Sequence, residues 1–588
     1  MSASRAAPRV SSGGLAALVI AAIAAVEIAL VAVVLNPRTF FSSDPGVKYL
    51  QAEALLSSGW RQLSVPDPAA SVDPEGRFSP FVVNQFGRRD SGTPWYGAYS
   101  EIFTIPVSLA LAWLGLRGLY LVPLLAGVGT MILTYRLSAR SAPQLAWLAP
   151  LLVGACSPML FYSVDLWEHT LATLFATAAI WFIVSAGEGN AVRRFALAGL
   201  ASGLAIAVRE ELYAVIPAGL VALAWLHPAR RLRAALAAAA AALLVLVPFV
   251  FLKFGQVSRP ANRAIIHVFG YGEDTLSLGG QVPAPMRAAL GLIVPPAPVW
   301  FAALLLIIAG RLLLMRLSAR GRSVVAGSLA TAVAAWATIA MLRAWAWIPP
   351  ASLLNAFPPA LLLIFLVSPR RAPPREIGQL LAIALTFLVV FCVAVQFTTA
   401  SSPAGGSQWG PRFLLPVIPP LAVLIVWTLA ARGEWRSRGL SPASVAATFA
   451  IVVVASLLVQ VQGIRALHSA KQQYERLAAM TETIAADQVL VSDIWWYPMT
   501  TAAVLRLHPV VAVQGRHAAP LEELLPLLRE RDVRRVTFVT PAPADGAAAR
   551  AFAAAGWREA RRTPVQAWLE VLFVEYRRDD GAASAATL

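Results

Sequence analysis

Residues 14 to 35 read GLAALVIAAIAAVEIALVAVVL, an unbroken apolar run whose one charge is Glu27, and polar Phe41-Ser42-Ser43-Asp44-Pro45-Gly46-Val47-Lys48-Tyr49 follows soon after it. About 20 such residues cross the hydrocarbon of a bilayer. The run is too long for a signal-peptide core, and with Arg5 and Arg9 before it the reading is an uncleaved anchor.

Working outward, the same pattern recurs along the chain. Of 588 residues, 58% are hydrophobic and 13% charged, and the mean hydropathy is +0.66. A soluble domain could not carry that composition on its surface. Runs of spanning length fall at 14 to 35, 118 to 136, 144 to 161, 167 to 186, 195 to 209, 211 to 226, 232 to 253, 291 to 312, 323 to 342, 351 to 367, 377 to 397, 413 to 431 and 443 to 463. This gives an expectation of about 13 transmembrane helices. Ile102 to Leu116 is read as a half-inserted or juxtamembrane helix, because a full span there would put Arg136 and Arg140 on the wrong side.

The net charge of +17 sits mostly in short Arg clusters in every other loop, such as Arg193/Arg194, Arg230/Arg231/Arg233 and Arg370/Arg371/Arg375. Such clusters mark the cytoplasmic side, so the charge reports orientation and not a nucleic-acid partner. The expected location is a bacterial inner membrane, with the N-terminus cytoplasmic. The other face carries the first loop, 36 to 117, and most of the unusual polar residues.

After about Ile464 the pattern changes to alternating helices and strands. Helices are expected near 471 to 486, 499 to 507, 521 to 531 and 547 to 555, with strands at 489 to 492, 510 to 513 and 535 to 539 and a last one within 565 to 576. The fold class is therefore an α-helical polytopic membrane protein with a small C-terminal α/β domain outside the membrane. Residues 1–463 form the first domain, loop included, and 464–588 the second. Cys156 and Cys392 both lie in apolar runs and read as packing residues.

Asp44, where the chain leaves the bilayer, is the first candidate for chemistry, since a partly buried carboxylate suits a general base. Asp44-Pro45-Gly46 is also a good turn sequence. Lys48 and Tyr49 follow it. Next, if the start of the span near 167 is helical, Asp165, Glu168 and His169 share a face and could orient a sugar or hold a divalent cation; Asp165 could instead be a cap. Arg209-Glu210-Glu211 interrupts the apolar run Phe195 to Leu226; charges there should face a cavity or each other. Trp409-Gly410-Pro411-Arg412 precedes a span and offers a guanidinium at a helix start, a good place for phosphate. Arg259, Asn262, Arg263 and His267 in the loop 254 to 290 are further phosphate candidates. Glu27 reads as a structural hydrogen bonder, and Asp493 follows a strand where α/β folds often bind ligands. No nucleotide loop, HExxH, GxSxG or Cys/His metal spacing occurs, which argues for a donor delivered through the membrane. The sequence names no certain cofactor, and a divalent cation is compatible with it.

One anchor, a long loop opening with an acid, a juxtamembrane helix, many further spans and a terminal domain resemble the GT-C superfamily of polyprenyl-phosphate-sugar-dependent glycosyltransferases. The likeness is to the branch with protein O-mannosyltransferases and the aminoarabinose transferase of lipid A. It covers roughly residues 14 to 463. The resemblance implies an inverting transfer, with Asp44 as base toward an acceptor hydroxyl on a glycan, lipid or protein and polyprenyl phosphate as leaving group. Arg412, then Arg209, then Lys48 are the implied phosphate contacts. Relatives often carry a second acid beside the loop Asp, where this chain has Ser43 and Pro45; Glu101, after Trp95-Tyr96-Gly97-Ala98-Tyr99-Ser100, could supply it. The alternative is a transporter or flippase of lipid-linked sugars, which places its charges nearer the midplane and shows inverted repeats.

Overall fold

The computed structural model describes residues 11–81, 85–88, 94–187, 189–256, 353–366, 373–398, 409–431, 441–513, 521–543 and 546–578. Six helical stretches among them are long and apolar enough to cross a membrane: Ser12–Val34, Glu101–Ser141, Ala191–Val208, Pro228–Lys253, Arg412–Ala430 and Val445–Glu482. His169–Val184 is a shorter apolar helix. The expected spans 291 to 312 and 323 to 342, together with Arg259 and Arg263, lie outside the described residues.

The chain divides into two compact units. The first comprises Met1–Leu30, Pro123–Val250 and Ala261–Arg465; the second comprises Val31–Val122, Phe251–Pro260 and Ala466–Leu588. Residues 36 to 117 and 466 to 588 both fall in the second unit.

Helix α1 (Ser12–Ala29) begins the first unit, with the Ser11 hydroxyl accepting from the Gly14 amide at 3.1 Å. Close helix packing relies on small residues, as in other membrane bundles. A Cβ on Gly154 would stand 2.2 Å from Met131 Sδ, and one on Gly199 would stand 2.0 Å from the Ala238 carbonyl oxygen. Threonines in apolar helices satisfy their hydroxyls on their own backbone, Thr130 on Ala126 at 2.8 Å and Thr428 on Leu424 at 2.7 Å. Glu27 is buried beside Gly127 and Ser163. The expected span 144 to 161 is two short helices, Leu148–Gly154 and Met159–Ser163. Pro158 has no amide to continue the first, and Ser157 Oγ accepts from the Met159 amide at 3.2 Å.

In the second unit, α2 (Ser43–Ser57) opens the loop, so Asp44-Pro45-Gly46 starts a helix and is not a turn. Helix α3 (Glu101–Leu114) forms where the juxtamembrane helix was expected. It ends at Gly115, whose φ of +59° suits glycine, and a 3-10 turn leads to α4 (Leu121–Ser141).

The last long helix runs unbroken from Pro442 to Glu482 over 41 residues, where a span ending at 463 and a separate helix at 471 to 486 were expected. Residues 465 to 482 are rich in Ala, Leu, Gln, Lys, Glu and Arg, strong helix formers that need no apolar surroundings.

The tail sheet has order β4-β3-β5-β7-β6. Strands β3 (Val489–Ser492), β4 (Val510–Ala512) and β5 (Arg535–Pro541) are parallel; β7 (Glu570–Arg578) is antiparallel to β5, and β6 (Trp557–Gln566) to β7. The sequence reading missed β6 and so the hairpin. Its core combines Val491, Phe538, Phe552, Trp557 and Tyr576 with Ala69, Val72 and Phe78 of the first loop. Ladder-like bonds join the two, the Ala512 amide donating to the Phe78 carbonyl at 2.8 Å.

Candidate active site

The expected residues fall in both units. In the second, Asp44 lies in the first turn of α2 and is half-buried. The buried amide Gln85 donates through Nε2 to Asp44 Oδ1 at 2.7 Å and to Ser43 Oγ at 2.6 Å. A first-turn carboxylate is also favoured by the free amides of the helix start. The turn is fixed from below: a Cβ on Gly46 would lie 1.8 Å from the Met499 carbonyl oxygen, so only glycine lets α2 approach that backbone. Ahead of it, the Phe40 amide donates to the Thr500 carbonyl at 3.0 Å. Lys471 Nζ donates to the Thr39 carbonyl at 2.9 Å and to the Tyr120 hydroxyl at 2.7 Å. Asp44 is thus carried on a braced segment.

Lys48, four residues on and so on the same helix face, is buried with Nζ 3.8 Å from the centre of the Tyr99 ring. Tyr49 is buried against Phe40, ring centres 5.4 Å apart. Burial, then Glu53, push its hydroxyl up to about 12 against the pull of Arg506. Glu101 begins α3. Its buried carboxylate accepts from Lys253 Nζ at 2.7 Å and Gln256 Nε2 at 3.0 Å. Gln51 joins α2 to the same region, its Nε2 donating to the Tyr99 carbonyl at 3.1 Å.

In the first unit, the helix His169–Val184 begins only after Glu168, its N-cap residue. Asp165 precedes the helix, and its Oδ2 accepts from Trp167 Nε1 at 2.9 Å. The expected single helical face of Asp165, Glu168 and His169 is therefore not formed. Glu168 Oε1 instead accepts from Arg209 Nη1 at 2.5 Å, and Arg209 Nε donates to Glu211 Oε1 at 2.6 Å. Burial works against the Arg209 charge, but Glu211 and then Glu168 outweigh it, so its pKa is raised. Arg209 thereby pairs with two carboxylates. Glu211, not Glu210, is its partner; Glu210 stands half-exposed at the start of the 3-10 turn Glu210–Ala214. Among the described residues no group of three His, Cys, Asp or Glu side chains is arranged to hold a metal ion. The cation candidates do not fit that role, since Glu168 and Asp165 are turned to Arg209 and Trp167.

Arg412 opens the 3-10 helix Arg412–Val417 and is buried. Its guanidinium carbon lies 4.8 Å from the ring centres of both Trp167 and Phe413. His169 sits among aromatics, 5.5 Å from Tyr162, 5.3 Å from Trp167 and 6.0 Å from Phe413 by ring centres. Trp409 donates its amide to the Tyr162 hydroxyl at 3.3 Å and its indole to Gln460 Oε1 at 3.3 Å. Gly463 leaves room for it, because a Cβ there would lie 2.6 Å from the Trp409 ring. Sequence reasoning missed Gln85, Lys253 and Lys471. A lone Lys at the end of a long apolar run signals Lys253; a neutral amide such as Gln85 gives no signal.

Residues 102–252 match the family of dolichyl-phosphate-mannose-protein mannosyltransferases. No curated protein matches the chain. Two structures of ArnT from Cupriavidus metallidurans are similar to it at 13% identity, covering 95% of this chain and 97% of theirs: one bound to undecaprenyl phosphate, with a TM-score of 0.55, and one in the apo state, with 0.54. The oligosaccharyltransferase of Archaeoglobus fulgidus, tethered with an acceptor peptide, matches at 14% identity and a TM-score of 0.48, covering 90% of this chain and 69% of that one. The likeness to ArnT is one of fold over nearly the whole chain, and the family match covers residues 102–252.

Proposed function

We propose that the chain is an integral-membrane glycosyltransferase that moves a sugar from a polyprenyl-phosphate carrier to an acceptor hydroxyl on the extracytoplasmic face of the membrane, with inversion. The observation that carries this reading is Asp44: a half-buried carboxylate on a helix start braced by Gly46, held by the neutral amide of Gln85. The amide orients the carboxylate through a hydrogen bond, and a positioned carboxylate is what a general base requires.

In the proposed step the acceptor O–H proton passes to Asp44 and the acceptor oxygen attacks the anomeric carbon. The bond from that carbon to the phosphate oxygen breaks, and polyprenyl phosphate leaves with the electron pair. The transition state is oxocarbenium-like. No step is routed through a metal.

The matched mannosyltransferase family and the undecaprenyl phosphate bound by ArnT support the lipid-linked donor. The test uses purified protein, a polyprenyl-phosphate sugar labelled at C1, and magnetic resonance of the product. Release or transfer of the label with inverted anomeric configuration supports the reading. Passage of intact labelled lipid across proteoliposomes, with no change in its chemical form, contradicts it in favour of a flippase.

A further inference from the structure

The proposed transfer leaves unused an aromatic row at one edge of the tail sheet. Strand β5 pairs with β7 in the register Pro541↔Val571, so the turn joining β6 to β7 lies at the carboxyl ends of β3 and β5. That edge is where open α/β sheets offer a crevice to ligands. Asp493 follows β3 directly, its amide donating to the Val539 carbonyl at 2.9 Å, while Thr540 Oγ1 donates to Asp493 Oδ2 at 3.0 Å. From the turn comes Trp568, 50% exposed, with its ring centre 5.3 Å from that of Trp496. Trp496 in turn lies 5.5 Å from Tyr474. Arg476 Nη1 holds the turn through the Gln566 carbonyl at 3.1 Å.

Exposed tryptophans on a membrane protein have two ordinary uses: lying in the headgroup layer, or stacking on a ligand. The rise of the long helix separates them. Tyr474 is eleven residues beyond residue 463, where the apolar stretch ends. At about 1.5 Å per residue that is about 17 Å along the helix. The headgroup layer adds only about 5 to 8 Å on each side of the hydrocarbon, so the row built on Tyr474 stands beyond it even with a tilt of about 20°.

We propose that this edge binds a carbohydrate chain, with the apolar face of a sugar ring stacked on Trp568 and Trp496 and sugar hydroxyls donating to Asp493. A stacking face and a carboxylate three positions before Trp496 on the segment after β3 fit the two chemistries of a sugar, C–H groups on one side and hydroxyls around the rim. The proposal does not depend on the catalytic reading, because none of its residues belongs to the Asp44 or Arg412 groups.

The test is titration of the full-length protein in nanodiscs with mannohexaose, maltohexaose and cellohexaose, read by calorimetry. Saturable binding of at least one is expected, weakened about tenfold by Trp568→Ala and by Trp496→Ala. Asp493→Asn should weaken it by a smaller factor, Trp568→Phe should retain it, and Asp44→Asn should bind as the unaltered protein does. No saturable binding by any of the three, or binding untouched in Trp568→Ala, overturns the proposal. So does quenching of the Trp568 emission by brominated phosphatidylcholine in the nanodisc, taken as the difference between the unaltered protein and Trp568→Phe, since it would put the row in the membrane.

Discussion

Glu168 and Asp44 are both carboxylates at the start of a helix, yet their partners differ. Glu168 meets the guanidinium of Arg209 at 2.5 Å, with Glu211 on the other side of the same group. Asp44 meets the neutral amide of Gln85 at 2.7 Å. In a buried setting an ion pair is costly to break, whereas a hydrogen bond from an amide fixes direction. The first arrangement therefore fastens the turn after Val208 to the start of the helix His169–Val184. The second orients a carboxylate in the first turn of α2.

The strongest way to break this contrast is Arg209→Met, which leaves Glu168 and Glu211 without their shared cation. Destabilisation of about 3 to 5 kcal/mol is expected, read as a lower melting temperature in detergent, and partly recovered by adding Glu168→Gln. Gly46→Ala tests the bracing of Asp44. Its methyl would sit 1.8 Å from the Met499 carbonyl oxygen, and the strain should cost about 1 to 3 kcal/mol and displace Asp44, so transfer falls while donor binding persists. Gln85→Leu removes the orienting amide alone. A hydrogen bond to a charged group is worth about 1.5 to 3 kcal/mol, so kcat should fall at least about tenfold with the donor KM unchanged. The smallest effect is expected from a chelator: with Glu168 closed on Arg209, EDTA should leave the rate as it was, and a loss restored by added cation would show that the carboxylates open to a metal.

The six described helices long and apolar enough to cross a membrane were legible because a run of about 20 apolar residues has few other uses. The tail was legible as alternating helices and strands, apart from β6. That strand carries Arg558, Arg561, Arg562 and Pro564 on the outer edge of the sheet; edge strands hold such residues against further pairing, and the same residues hide them from a search for apolar alternation. Asp44 was found from its place in the chain, but its helix was hidden by Pro45 and Gly46, which also make turns. Only the approach of the Met499 backbone explains why glycine stands there. The choice of Glu211 over Glu210 was beyond reach, since adjacent residues in a 3-10 turn point different ways and only the fold decides which faces Arg209. The long helix past 463 was divided because hydropathy reports the solvent around a helix and not where it ends.

The most direct measurement is the rate of sugar transfer from radiolabelled polyprenyl-phosphate sugar by purified Asp44→Asn beside the unaltered protein. The substitution keeps the size and hydrogen-bonding capacity of the side chain and removes its ability to take a proton. A fall of about 10² to 10⁴ in kcat, with unchanged donor KM and melting temperature, is the predicted result. Transfer at the unaltered rate would contradict the assignment of Asp44 as the base.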